Sequence, residues 1–132
     1  MLYDIGYGNR GYKNIERVME ILSIDILVDV RMRPYCRYNT SLNTNSLKEL
    51  LGDRYLWVRE FGGDKKIGSD ENKDTLKQLF NWSEREDKNI LLMCCEADYR
   101  RCHRSEIVGY LKNIGLKGYK HLNITDFDSQ TK

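Results

Sequence analysis

Two hydrophobic periods alternate along this chain, and their alternation limits its fold more than any other feature of the sequence. Short, nearly continuous apolar runs are typical of parallel strands that are buried on both faces. They occupy residues 2–7, 24–30, 55–58 and 90–93, and the more polar residues 117–122 resemble a last strand. Between them, apolar residues recur every three or four positions, as on one face of a helix. The alternation predicts an α/β fold in one three-layer domain, with a mostly parallel sheet of about five strands flanked by helices.

The predicted helices have recognisable ends. The first follows Asn14, a suitable N-cap, and the second starts at Ser46, which has a glutamate three residues later, the spacing of a capping box. A third helix is expected around residues 76–82. A fourth is expected from about residue 104 to residue 113, because Gly115 can end it.

The length and composition of the chain fit one self-contained domain. With 132 residues, the chain can bury a core without disulfide or metal staples. We expect residues 1–132 to form this domain, with a frayed polar end over about residues 125–132. No apolar run approaches the roughly 20 residues of a membrane-spanning helix, which excludes insertion into a membrane. The net charge of +2 does not by itself indicate a nucleic-acid partner.

The cysteines indicate a reducing compartment. Cys94 and Cys95 are adjacent, Cys102 follows closely, and the N-terminal residues do not resemble a secretory signal. We therefore expect reduced thiols and a cytoplasmic protein.

Most of the reactive side chains lie in residues 89–105. There an apolar run opens onto three cysteines, one histidine, two carboxylates and three arginines. Sites in such folds form at the carboxyl ends of the strands, where nearby arginines and a helix N-terminus favour a thiolate. The candidate catalytic residues are Cys94, Glu96, Cys102 and His103. In this hypothesis Cys94 or Cys102 is the nucleophile, and Glu96 or His103 transfers protons.

Three other interpretations of these residues are open. Buried cysteines also serve as small apolar core residues, and strand alternation points one of Cys94 and Cys95 into the core. Cys94 and Arg100, and equally Cys95 and Arg101, have the spacing of a phosphatase loop, but two carboxylates inside that loop would repel a phosphate. Zinc ligands could come from Cys94 or Cys95, Cys102, His103, and Cys36 or His121. Their spacing differs from that of structural zinc motifs, so we expect no metal and no cofactor.

A basic segment after residue 30 predicts an anionic partner. Arg31, Arg33 and Arg37 alternate with tyrosines, and guanidinium groups pair with phosphate or carboxylate while tyrosines stack on bases. The candidate substrate-binding residues are Tyr7, Asp29, Arg31, Arg33, Arg37 and Arg104. Alternatively, one or two of the arginines pair with Asp29, Glu96 or Asp98 and only brace the loops.

Five short motifs occur along the chain in the same order as in a known protein family. They are Ile5-Gly6-Tyr7-Gly8-Asn9, Leu27-Val28-Asp29-Val30-Arg31 with Pro34, Phe61-Gly62-Gly63, Leu92-Met93-Cys94-Cys95-Glu96 and Cys102-His103-Arg104. Together they resemble the family called domain of unknown function 488. The resemblance implies an α/β fold and a site from Asp29, Arg31, Cys94, Glu96, Cys102, His103 and Arg104, without an established reaction. Family members typically carry histidine and serine in place of Tyr7 and Gly8 and a leucine in place of Phe61, so a mechanism that needs a histidine on the first loop is not expected.

A fainter similarity is to rhodanese-like domains. These also have a Val-Asp-Val-Arg strand, and a strand, cysteine loop and helix that end in Arg-Ser, here Arg104-Ser105. The loop of this chain is longer and acidic, so the similarity supports an anion-facing thiol loop and not sulfur transfer itself.

These observations favour an enzyme, a thiol-based transferase or hydrolase that acts on an anionic substrate such as a nucleotide or nucleic acid. The alternative is a non-catalytic module that binds nucleic acid or another anion and whose cysteines only pack. A third possibility is a scaffold in which the polar cluster ties loops together.

Overall fold

The fold is a parallel sheet between two layers of helices. The computed structural model describes residues 1–35, 40–61, 66–95 and 104–128. Within these ranges the strands are β1 Leu2–Gly6, β2 Ile26–Asp29, β3 Tyr55–Trp57, β4 Ile90–Cys94 and β5 Tyr119–His121. The α-helices are α1 Tyr12–Ile21, α2 Thr44–Leu51, α3 Lys73–Phe80 and α4 Arg104–Asn113. All strand pairs are parallel, in the order β3-β2-β4-β1-β5. The predicted α/β fold is confirmed.

The central strand β4 organises the sheet. Its Leu92 is in register with Asp4 of β1 on one side and with Val28 of β2 on the other. Residues 90–93 are all fully buried. Neighbouring strands on both sides and helices on both faces shield β4 from water. This burial explains why its residues form a continuous apolar run.

Successive side chains of each strand enter two separate apolar cores. Leu91 and Met93 pack with residues of α1 and α2 on one face of the sheet. Ile90 and Leu92 pack with residues of α3 and α4 on the other. We call these the α1 face and the α4 face. Every polar side chain on a strand is assigned to one of them by its position in the alternation.

Two predicted helix starts are wrong, because the polar residues there make side-chain hydrogen bonds that do not cap the helices. Helix α1 begins at Tyr12, before Asn14, whose side chain donates a 3.0 Å hydrogen bond to Asp128. Helix α2 begins at Thr44, and the Oγ of Ser46 donates to the carbonyl of Thr40 at 3.1 Å.

The C-terminal region is more ordered than the sequence predicts. Ile124–Phe127 form a short 3-10 helix with a buried Ile124, where fraying from residue 125 is expected. Arg10 holds Asp128, the residue after this short helix. Its Nε and one terminal nitrogen donate to the two oxygens of the Asp128 carboxylate at 3.0 and 2.5 Å. Residues 129–132 lie outside the described part of the chain.

Membrane insertion was also excluded from the sequence. None of the helices in the described ranges combines the length and the apolar character that crossing a membrane requires.

The sheet packing predicts a large effect of truncating the central strand. Leu91→Ala removes a side chain with 0% exposure and leaves a cavity, so the free energy of unfolding should fall by about 2–5 kcal/mol. Urea unfolding measures this loss. Leu50→Ala on α2 is the matched control, because Leu50 is 57% exposed and should change stability by less than about 0.5 kcal/mol. Equal losses in the two variants would contradict the burial pattern.

Candidate functional site at the carboxyl edge of the sheet

The turn after β1 is fixed to the end of β4. The backbone N–H of Tyr7 donates to the carbonyl of Cys94, and that of Gly8 donates to the carbonyl of Cys95, each at 3.0 Å. Gly8 has a φ of 60°, a conformation that glycine adopts without steric cost. The two cysteines therefore lie beside Tyr7 at the edge where the parallel strands end.

A buried ion pair lies beside this turn on the α1 face. The Nε of Arg31 donates to Oδ1 of Asp29 at 2.8 Å, and one terminal nitrogen of Arg31 donates to Oδ2 at 2.6 Å. The side chains are only 5% and 0% exposed. The backbone N–H of Arg31 also donates to Oδ1, at 3.1 Å. This forked geometry is the strongest form of a guanidinium–carboxylate contact.

The ion pair joins several segments through further hydrogen bonds. Arg31 donates to the hydroxyl of Tyr7 at 2.9 Å and to the carbonyl of Leu42 at 2.6 Å. The hydroxyl of Tyr55 donates to Asp29 at 2.6 Å, and the indole N–H of Trp57 donates to the carbonyl of Arg31 at 2.8 Å. Arg31 thus connects the turn after β1 with β2, β3 and the segment before α2. Bracing of loops by an arginine is one of the alternatives that the sequence left open. We call the pair of Asp29 and Arg31 the buried brace.

Burial and pairing shift the ionisation of this cluster. Burial alone would lower the pKa of Arg31, but the hydrogen bonds and charge of Asp29 outweigh it and raise that pKa. Burial raises the pKa of Tyr55, and Asp29 raises it further. Arg31 is therefore positively charged and the Tyr55 phenol is protonated at neutral pH.

Tyr7 connects the ion pair to a cysteine. Burial raises the pKa of Tyr7 to about 12; Arg31 opposes the shift, and Cys95, which is hydrogen-bonded to the Tyr7 hydroxyl, adds to it. A protonated Tyr7 accepts from Arg31 and donates to the sulfur of Cys95. Cys95 is exposed, whereas Cys94 is partly buried and packs against the apolar core of the α4 face. Strand alternation thus points the two thiols to opposite faces, as the sequence predicts.

A second buried ion pair lies on the α4 face. Arg104, the first residue of α4, has a terminal nitrogen 3.1 Å from Oδ2 of Asp4, and both side chains are 0% exposed. The hydroxyl of Tyr119 donates to Oδ1 of Asp4 at 2.5 Å. The Nδ1 of His121 lies 3.1 Å from both oxygens of that carboxylate.

The described members of the predicted site are divided between the two faces. Tyr7, Asp29 and Arg31 lie together on the α1 face, and Cys94 and Arg104 lie on the α4 face. Arg33 is exposed on the segment after β2. Cys36, Arg37, Glu96, Cys102 and His103 lie outside the described residues. Their catalytic or binding roles stay predictions.

Sequence reasoning missed most of the second ion pair. Asp4 is a carboxylate inside an otherwise apolar run, a signal that could have identified it as a functional candidate. The sequence indicates His121 only as a possible zinc ligand, and it gives no functional signal for Tyr119. Among the described residues no three histidine, cysteine or acidic side chains are grouped so that they could hold a metal ion.

Comparison with protein-family models identifies the family of this chain. Residues 13–86, more than half of the chain, match the family described as Domain of unknown function DUF488. The chain belongs to the DUF488 family. The family resemblance predicted from the sequence is thereby confirmed, whereas the similarity to rhodanese-like domains stays a prediction. No curated protein and no solved structure matches the chain significantly.

The DUF488 match includes one of the two ion pairs. It covers Asp29 and Arg31 and ends before Cys94. The matched segment of this DUF488 protein therefore contains the ion pair of the α1 face. It does not contain the paired cysteines, to which the match assigns no role.

The buried brace predicts a large loss of stability when one partner is removed. Asp29→Asn leaves the guanidinium of Arg31 buried without a counter-charge, which should lower the free energy of unfolding by about 3–5 kcal/mol. Urea unfolding again provides the measurement. Asp29→Leu combined with Arg31→Met should lose less than Asp29→Asn alone, because no charge is then left unpaired.

A matched control for Asp29→Asn exists on the surface. Arg10 and Asp128 form the same kind of forked pair, but their side chains are 30% and 34% exposed. Asp128→Asn should therefore cost clearly less than Asp29→Asn, because water and salt screen the remaining charge. A comparable loss in the two variants would show that burial does not set the strength of the brace.

The raised pKa of Tyr7 predicts weaker folding in alkali. As the pH rises from 10 toward 12, the unfolded chain loses the tyrosine proton before the folded protein does. Stability from this group is thus fully present below pH 10 and decreases above it. The decrease should reach up to about 2–3 kcal/mol. Tyr7→Phe should flatten the alkaline decrease of stability measured by urea unfolding, and an unchanged slope would refute the shift.

Proposed function

We propose that this DUF488 protein is a thiol-dependent transferase or hydrolase whose nucleophile is Cys95 and whose substrate is anionic. The observation that carries the proposal is the contact between Cys95 and Tyr7 at the end of the central strand. Cys95 is exposed, and the Tyr7 hydroxyl beside its sulfur is itself held by Arg31 at 2.9 Å. A thiol that reacts with a dissolved substrate needs both access and an activating polar neighbour.

The hydrogen bonds that reach Cys95 form a fixed series. Asp29 holds Arg31 through two side-chain contacts, Arg31 donates to Tyr7, and Tyr7 is hydrogen-bonded to Cys95. The first three side chains are buried, so the donor beside the sulfur is oriented before a substrate arrives. Preorganised donors of this kind stabilise charge that develops during a reaction.

The reaction class follows from the thiol. In the first step Cys95 gives its thiol proton to Glu96 or His103, its sulfur bonds to the electrophilic centre of the substrate, and the bond to the leaving group breaks with its electron pair. The leaving group takes up a proton, for which Glu96 and His103 are the proposed donors. Transfer of the bound group to water completes a hydrolysis, and transfer to a second acceptor completes a group transfer.

The geometry changes the proposed role of the arginines. Arg31 and Arg104 are buried against Asp29 and Asp4, so we propose that they position other groups. Arg33 is exposed and follows Arg31 by two residues. We propose that Arg33, together with Arg37, attracts the anionic substrate, for which a nucleotide or nucleic acid has suitable chemistry. Reduced thiols are the reason for proposing a cytoplasmic location.

A non-catalytic binding function is the second candidate. It is favoured by exposed side chains beside Arg33, because Met32 and Tyr35 are 55% and 60% exposed. An exposed aromatic ring next to guanidinium groups can stack on a base while the cations meet phosphates. Such a module would bind single-stranded RNA with an affinity that falls linearly with salt on logarithmic axes, and cysteine substitutions would leave binding unchanged.

Alkylation of the folded, reduced protein tests the proposed nucleophile. Iodoacetamide should modify Cys95 at least about tenfold faster than Cys94, because a reactive thiol needs exposure and a polar environment. Peptide mass spectrometry measures each rate, and Cys94→Ala and Cys95→Ala assign the signals of the adjacent residues. Tyr7→Phe should slow the modification of Cys95.

Tyr3→Phe is the matched control for Tyr7→Phe, because Tyr3 lies on β1 and packs on the same face of the sheet. It should leave the alkylation rate of Cys95 unchanged. Faster modification of Cys94 than of Cys95, or equal rates in Tyr7→Phe and the unaltered protein, would overturn the assignment. Slow modification of both cysteines until unfolding would favour the binding module.

A further inference from the structure

The second ion pair holds a partly exposed histidine. Asp4 lies in the middle of β1 and is 0% exposed, whereas the side chain of His121 on the edge strand β5 is 42% exposed. Asp4 and His121 are register partners in the parallel pair of β1 and β5. The ring of His121 therefore joins a buried carboxylate to the surface of the protein.

The contacts of Asp4 determine which ring nitrogen carries a proton. Arg104 supplies a positive charge 3.1 Å from Oδ2, and the hydroxyl of Tyr119 donates to Oδ1 at 2.5 Å. A carboxylate with these partners acts as an acceptor, so the Nδ1 of His121 donates to it. In the neutral ring the proton is then on Nδ1, and Nε2 is the basic nitrogen.

Burying the charges of Asp4 and Arg104 costs desolvation free energy, and the packing of this core does not require charged residues. Two charged groups with no exposure lie where Leu2 and Ile107 show that apolar residues pack well. Apolar replacements of such pairs are often neutral or stabilising. A role for the pair in orienting His121 accounts for the cost.

We propose that His121, oriented by Asp4, is the acid–base group of a second site, at the carboxyl end of β5. The site would take a small anionic substrate that carries an ionisable O–H or N–H. The ammonium group of Lys112 lies 5.0 Å from the centre of the Tyr119 ring, which brings positive charge to this face. The nearby carboxylate of Glu84 accepts from the N–H of Gly118 at 3.0 Å, at the amino end of β5 and away from His121.

The proposed step is a reversible proton transfer. Nε2 of His121 takes the proton of the substrate O–H or N–H, and the electron pair of that bond stays on the substrate. The resulting imidazolium keeps its Nδ1 hydrogen bond to Asp4, whose negative charge stabilises it. The proton returns to the product from Nε2. This proposal uses residues of the α4 face and does not depend on Cys95.

The tautomer of His121 is the first test, because it requires no substrate. Nitrogen-15 NMR of the histidine-labelled protein, at a pH where the ring is neutral, should show His121 protonated on Nδ1. The chain contains two histidines, so His121→Gln assigns the signal. Protonation on Nε2 in the unaltered protein would overturn the proposal.

Asp4→Asn tests the orienting role. Its amide can turn its NH₂ toward Nδ1 and thereby move the ring proton to Nε2, so the acylation of His121 by diethyl pyrocarbonate should slow roughly tenfold or more. Peptide mass spectrometry measures that rate. Tyr119→Phe is the matched control, because it removes another hydrogen bond to Asp4 and should leave the His121 tautomer unchanged. A tautomer that changes in Tyr119→Phe, or acylation unaffected in a folded Asp4→Asn, would refute the orientation by Asp4.

Inorganic phosphate tests the anionic character of the site. Titration with phosphate should shift the ring signals of His121, and Lys112→Ala should weaken the apparent affinity about threefold or more. Lys117→Ala is the control near the amino end of β5 and should leave the affinity unchanged. Ring signals that do not move, or equal effects of the two lysine variants, would overturn the assignment of an anionic substrate.

Discussion

A carboxylate and a guanidinium shielded from water hold the carboxyl edge of this sheet in place. The contact between Asp29 and Arg31 costs desolvation energy on both sides, and it persists because every neighbouring segment supplies a hydrogen bond to it. Tyr7, Tyr55 and the carbonyl of Leu42 are the partners. Since these partners come from three different segments, the turn after β1, the start of β3 and the approach to α2 are positioned by one charge pair at the end of β2. The orientation of Tyr7, and through it the surroundings of Cys95, depends on that pair.

The central position of β4 explains why the chain has two candidate sites. Its last residue and the one that follows are both cysteines, and strand geometry sends their side chains to opposite sides of the sheet. On the α1 face Cys95 meets the brace of Asp29 and Arg31. The α4 face, toward which Cys94 points, holds the pair of Asp4 and Arg104. The sheet thus separates two groups of polar residues that follow the same rule, in which a buried acid orients a cation and a phenol.

The fold could be predicted from the sequence because its signal is local. A run such as residues 90–93 is apolar whatever its partners are, and helix periodicity repeats within a few residues. The candidate site could be predicted only in part, because its contacts are long-range. Asp29 and Arg31 are two positions apart and were identified, whereas Asp4 meets His121 across 117 positions. The predicted start of α1 was wrong for a related reason. Asn14 forms a hydrogen bond with the distant Asp128, and no local sequence pattern encodes that contact.

The strand order also determines when each strand can find its partners during synthesis of the chain. β1 is made before the other strands, yet both of its neighbours, β4 and β5, lie in the last part of the described chain. During synthesis the first strand therefore waits without partners, while β2 and β3 can already pair with each other. Contacts between such distant segments slow folding, and an unpaired apolar strand is open to association with other chains. The strand order that gives the folded protein a well-covered central sheet thus leaves its first strand unpaired until the last part of the sheet has been made.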